Sequence, residues 1–114
     1  MRDCLFCKII AGDIPAEKIV ETEKVIAFKD IQPMAKEHYL FIHKEHTKNI
    51  NEISLNKPEQ FLEIYQEIQK FTSSNKLEES GFRVVSNINN NGGQTVFHTH
   101  FHVLGGEPLG GFGK

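Results

Sequence analysis

The sequence predicts an α+β fold with an antiparallel sheet of about five strands, and three observations carry that expectation. Short segments rich in β-branched residues come in groups rather than in regular alternation with helices. One long segment, 56–75, repeats its apolar residues at helical spacing. Residues 95–104, "TVFHTHFHVL", place three histidines at every second position, the period of a strand. At 114 residues, 39% of them hydrophobic, the chain is read as one domain spanning 1–114.

Each element has its own signal. "CLFCKIIAG" (4–12) reads as a helix of about two turns, closed by Gly12 and by Pro15 beyond it. "EKIVET" (17–22) and "KVIAFKD" (24–30) are short, β-branched and separated by charged turn residues, which predicts a hairpin. "HYLFIH" (38–43) is mostly apolar and reads as a third, central strand. In "NKPEQFLEIYQEIQKFTSSN" (56–75), Asn56 is the expected cap, Pro58 sits in the first turn and Glu59 completes a capping-box spacing. Phe61, Ile64, Tyr65, Ile68 and Phe71 form its apolar stripe, and Leu62 beside the stripe points to a second contact such as another subunit. "GFRVVSN" (81–87) and "TVFHTHFHVL" are the last two strands. Between them "INNNGGQ" (88–94) supplies residues that tolerate positive φ.

A formal net charge of −2 gives no general attraction to nucleic acid or to an anionic membrane. "MRDCLFCKIIAGDIP" has no apolar run of signal-peptide or membrane-span length, so the chain is read as cytoplasmic, where thiols stay reduced. Cys4 and Cys7 are therefore expected to be a metal or redox pair rather than a disulfide.

On a strand, His98, His100 and His102 project to one face while Thr99, Phe101 and Val103 project to the other. Two chemistries suit that arrangement. The histidines could ligate a catalytic metal, or a neutral imidazole could act as nucleophile or acid–base group with neighbours that set its tautomer. The preceding "NNNGGQT" (89–95) favours the second, because its backbone N–H groups and the Gln94 and Thr95 side chains form an expected cradle for an oxyanion.

"HTHFHVL" also fits the pattern His-φ-His-φ-His-φ-φ, with φ usually apolar, and so resembles the histidine-triad (HIT) nucleotide-binding family. The likeness extends to "LFCKIIAGDIPAEKI", "AFKDIQPMAKEHYLFI" and "NNGGQTVFHTHFHVLGG", close to the whole chain, and is strongest to the HINT-like nucleoside phosphoramidate hydrolases. "GG" after "HVL" resembles that branch rather than the dinucleoside-polyphosphate hydrolases. His102 stands where the transferase branch usually has glutamine. The resemblance implies that His100 takes a nucleoside monophosphate onto its ring, with His102 and His38 orienting it and contacting phosphate. It implies phosphate or leaving-group contacts from Asn87, Gly93 and Thr95, ribose contacts from Asp30, and a base slot of Phe6, Ile9, Phe28 and Ile31. Residue chemistry alone would assign those last four to an ordinary core.

The likeness implies further that Cys4, Cys7, His46 and His98 hold a structural Zn²⁺ that pins the N-terminal helix to the sheet. It implies a purine nucleotide (AMP, GMP or a phosphoramidate) as ligand, a homodimer, and no organic cofactor. A non-catalytic nucleotide-binding module, a dinucleoside polyphosphate hydrolase and a metal-dependent hydrolase are the competing readings. Three departures stand out: Thr95 replaces the commoner serine, His43 replaces the usual proline after "FI", and the tail "EPLGGFGK" lacks a tryptophan-proline ending.

Overall fold

In the computed structural model, residues 4–111 are described. Side-chain alternation on the strands decides the layering. A helix α1 (Leu5–Ile10) is followed by β1 (Lys18–Glu21), β2 (Val25–Lys29) and β3 (Glu37–His43). Then come helices α2 (Ile50–Asn56), α3 (Pro58–Ser74) and α4 (Leu77–Ser80), and strands β4 (Phe82–Val85) and β5 (His100–Gly105). The strands form one antiparallel sheet in the order β1-β2-β3-β5-β4, with β3 at its centre as its apolar sequence predicts.

Both faces of that sheet are covered. Val25, Ala27, Tyr39, Phe41, Phe101 and Val103 face the helical layer, where they meet Ile53, Ile64, Ile68 and Leu77. Ile26, Phe28, Leu40 and Ile42, the alternate residues, face Phe6 and Ile9 of α1. Burying one such aliphatic side chain stabilises the fold by about 1.5–3 kcal/mol relative to leaving it exposed. His38, His100 and His102 share the α1 face with Leu40 and Ile42, while His43 lies on the helical side beside Gln60. Among the described residues no helix is long and apolar enough to cross a membrane.

Three expectations are corrected. The long helix begins at Pro58, and Asn56 is the last residue of α2. Lys57 occupies the cap position and makes no side-chain cap bond, so the Asn56–Glu59 box does not form. A side-chain cap lies one helix earlier: Asn49 Oδ1 accepts from the Glu52 amide at 3.0 Å, and Glu52 Oε1 accepts at 2.7 Å from the amide of Lys48, the residue before the cap. The stripe is also rotated. Ile64 and Ile68 are fully buried, but Gln60 and Thr72 continue it, while Tyr65 and Leu62 are exposed. Lastly, the final strand starts at His100 rather than Thr95. The His98 amide donates to the Val96 carbonyl, a tight turn that keeps His98 out of the ladder.

Candidate active site and metal centre

The register of β3 against β5 pairs Leu40 with His102 and His38 with Leu104, which brings the His38 and His102 rings together. His38 Nε2 lies 2.9 Å from His102 Nδ1. The Met34 amide donates to His38 Nδ1 at 3.1 Å, so that nitrogen is an acceptor and the proton of the neutral ring sits on Nε2. His38 therefore donates to His102 Nδ1, and His102 keeps its own proton on Nε2. The network sets His100 just as firmly. Its Nδ1–H donates to the His98 carbonyl at 2.6 Å, which leaves Nε2 as an unprotonated lone pair.

All three rings are neutral near pH 7. Burial lowers the pKa of His38 and His100 from the usual imidazole value; Asp30 opposes part of the effect at His38, and the His98 carbonyl, then Asp30, oppose it at His100. His102 is held at about 4, chiefly by burial and then by the neighbouring His100 and His38. A neutral nitrogen with a free lone pair attacks phosphorus without prior deprotonation.

The His100 and His102 rings open onto a cleft of about 400 Å³. Phe6, Ile9, Phe28 and Leu40 give it an apolar wall, and Asp30 stands in its lining. Asp30 Oδ1 accepts from the Gln32 amide at 2.8 Å, and Oδ2 is 3.5 Å from His38 Nε2. Thr95 lines the same cleft. Ile31 stands at its rim, 93% exposed, rather than in a closed slot. A second opening of about 640 Å³ lies on the other side of the His38–His102 pair and is lined by Asn87, Gly92 and Arg83 among others.

The loop before β5 departs from the expected cradle. The Gly93 amide donates to the Asn90 carbonyl and the Gln94 amide to the Asn89 carbonyl, both at 3.0 Å, so the loop's own turn occupies those donors. Gln94 is buried, and its amide group braces the loop by bonding the Lys48 and Val96 carbonyls and the Asn89 amide. Asn89 and Gly93 take positive φ, as the composition of that stretch predicts.

Beside this site, Cys4, Cys7, His46 and His98 converge, their ligand atoms all within 4.8 Å of one another. Cys4 Sγ lies 3.2 Å from His98 Nδ1; Cys7 Sγ lies 3.5 Å from His98 Nδ1 and 3.4 Å from His46 Nδ1. Sulfur–nitrogen edges of a tetrahedral zinc site are about 3.5 Å, given bonds of about 2.3 and 2.0–2.1 Å, so the donor set fits that metal. His98 Nε2–H donates to the His43 carbonyl, which presents the Nδ1 lone pair to the sulfurs. Burial, then the adjacent Cys4, pushes the Cys7 thiol up to about 11, so a cation must displace protons to bind there.

His43 finds its place here too. It is fully buried, with Nε2 2.6 Å from Gln60 Oε1 and Nδ1 2.9 Å from Thr47 Oγ1, which in turn lies 2.6 Å from Thr99 Oγ1. Sequence reasoning passed over Gln60, Thr47 and Thr99. The one available signal was a glutamine at the stripe position four residues before Ile64.

The HIT domain family matches residues 11–109. Purine nucleoside phosphoramidase of Escherichia coli (strain K12) is 34% identical over 109 residues, covering 96% of this chain and 92% of the relative. A HIT family hydrolase from Clostridium thermocellum superimposes with a TM-score of 0.91 at 40% identity, covering 97% of this chain and 96% of the other. A histidine triad protein from Clostridium difficile superimposes at 0.92 with 35% identity, covering 99% and 98%. The chain belongs to the HIT family.

Proposed function

We propose that this chain hydrolyses the P–N bond of purine nucleoside 5′-phosphoramidates through a nucleotidyl intermediate on His100. The observation that carries this reading is the His100 tautomer: Nδ1–H is held by the His98 carbonyl, and Nε2 is a free lone pair at the cleft that also holds Asp30. Adenine or guanine packs against Phe6, Ile9 and Phe28, with Ile31 at the rim, and Asp30 accepts hydrogen bonds from the ribose hydroxyls. Nε2 of His100 then bonds phosphorus as the bond to the amine breaks, the amine leaving with a proton from solvent. Water attacks the phosphorus in turn, the electron pair returns to Nε2, and AMP departs with a proton released.

His102 donates Nε2–H toward the phosphoryl oxygens, held in that tautomer by His38. Asn87 and the Thr95 hydroxyl flank the leaving group. Gly93 is given no phosphate contact, because its amide is already bonded within the loop. Zn²⁺ at Cys4, Cys7, His46 and His98 would be four-coordinate, with no open position for water, so it supplies structure rather than a nucleophile. Exposed Leu62 and Tyr65 on α3, together with the open edge of β4, support the two-fold homodimer that the family resemblance implies. The E. coli relative's name supports the substrate class.

An assay of adenosine 5′-phosphoramidate beside diadenosine tetraphosphate, each with and without a chelator, tests the reading. Preferential release of AMP from the phosphoramidate, surviving brief chelation at low temperature, is the expected result. Preference for the dinucleotide would contradict it. Immediate loss of turnover on chelation, with the nucleotide site still binding AMP, would return the metal-hydrolase reading.

A further inference from the structure

We infer that the Cys4/Cys7/His46/His98 site positions the nucleotide site, so that metal occupancy governs AMP affinity and the tautomer of His100. The inference rests on the proposed role of His100. It goes beyond a stabilising metal because two separate arms run from one site to the other.

The first arm is the backbone of His98. Its ring is fixed on one side by the His43 carbonyl and on the other by the two sulfurs, while its own carbonyl holds His100 Nδ1–H at 2.6 Å. The same peptide is anchored at the Thr99 amide, which donates to the Thr47 carbonyl at 2.7 Å, so a shift of the His98 ring and Cα would strain the carbonyl's bond to His100. The carbonyl makes Nδ1 the protonated nitrogen and so leaves Nε2 free to react. The second arm is α1. Cys4 caps it, and Cys7 lies in its first turn. Between them Phe6 points into the cleft, its ring 4.9 Å from that of His100 and 6.0 Å from that of His98, and Ile9 follows in the same wall. A cation held by Cys4, Cys7 and His98 would therefore fix the distance between the base wall and His100. His98 and His100 are two residues apart, one in the turn before β5 and one at its start, and a single hydrogen bond joins them.

Binding free energies are reciprocal, so AMP must raise zinc affinity by the same factor by which zinc raises AMP affinity. The test compares zinc-loaded with metal-free protein, checked as folded by circular dichroism. AMP dissociation constants come from calorimetry and the His100 tautomer from imidazole ¹⁵N resonances; neither readout depends on turnover. Zinc is expected to tighten AMP by at least about fivefold. His100 should be a single Nδ1–H tautomer when loaded and a mixture of both when stripped. AMP should likewise make zinc harder for a competing chelator to extract.

A folded, metal-free protein with unchanged AMP affinity and unchanged His100 resonances overturns the inference, as does a chain that takes up no zinc. Should the metal-free chain not remain folded, zinc is exchanged for cadmium, whose bonds to sulfur are longer. The His100 resonances are then expected to shift and AMP affinity to fall, and no change in either overturns the inference. If His100 is not the phosphoryl acceptor, His100→Ala keeps its turnover, a result independent of these binding readouts.

Discussion

Two clusters of histidines sit side by side, one on the sheet and one in the loops beside it, and they differ in what their rings touch. In one, His98 and His46 turn Nδ1 toward the sulfurs of Cys4 and Cys7. In the other, His38 and His102 bond to each other, and His100 bonds only a backbone carbonyl through Nδ1. Burial is the first cause of a lowered pKa in both, holding His98 and His102 alike at about 4. Burial therefore does not distinguish the proposed ligand from the proposed nucleophile here. The carbonyl on the far nitrogen of each ring does: His43 O on Nε2 leaves His98 Nδ1 to the sulfurs, while His98 O on Nδ1 leaves His100 Nε2 to a substrate.

The largest expected effect breaks the proposed catalytic cluster alone. His100→Ala should lower hydrolysis of adenosine 5′-phosphoramidate by at least about 10³-fold while AMP still binds, because Asp30 and the apolar wall remain. Steady-state rates together with calorimetry check both halves. Asp30→Ala should act on binding instead, raising KM about 10- to 100-fold through loss of charge-assisted hydrogen bonds, as measured by the split between kcat and KM. Cys7→Ala breaks the other cluster. Zinc content by elemental analysis should fall from about one per chain, and Tm should drop by more than about 5 °C, because metal binding contributes to folding.

The smallest effect is one of pH and touches both clusters together. The depressed histidines bind protons in the unfolded chain below its ordinary value of about 6.5, before they do so in the folded one. Their contribution to stability is thus complete above pH 6.5 and is lost as pH falls toward 4. The acid limb of kcat/KM should likewise lie below 6.5, as one apparent value for the coupled rings. Thermal melts and pH–rate profiles of the same preparation measure the two.

Much of this was legible in sequence because the strands are short, rich in apolar residues and bounded by turn residues. Val25, Ile26, Ala27 and Phe28 mark β2, but that their alternate residues are buried on opposite faces of the sheet is seen only in the structure. The Cys4, Cys7, His46 and His98 convergence was legible only through resemblance, since spacing alone leaves a CxxC open to redox chemistry. The pairing of His38 with His102 was out of reach. It depends on the β3–β5 register between residues 64 positions apart, which no local pattern specifies. Helix α2 was missed because seven residues carry too little periodicity, although Asn49 and Glu52 do mark its start. Gln60 escaped because a buried polar residue reads as solvent-facing until its partner, His43, is known. The amides of Gly93 and Gln94 show the converse: glycine-rich composition signals a turn, but not whether its N–H groups stay free.

The central claim is that His100, alone among the six histidines, carries the nucleotide. Intact-mass analysis of enzyme quenched during turnover of adenosine 5′-phosphoramidate, followed by peptide mapping, tests it most directly. One AMP adduct per active chain is expected, mapped to His100, labile to acid, and missing from His100→Ala. An adduct on His98 or His102, or one that persists in His100→Ala, would contradict the division of the histidines into ligand and nucleophile.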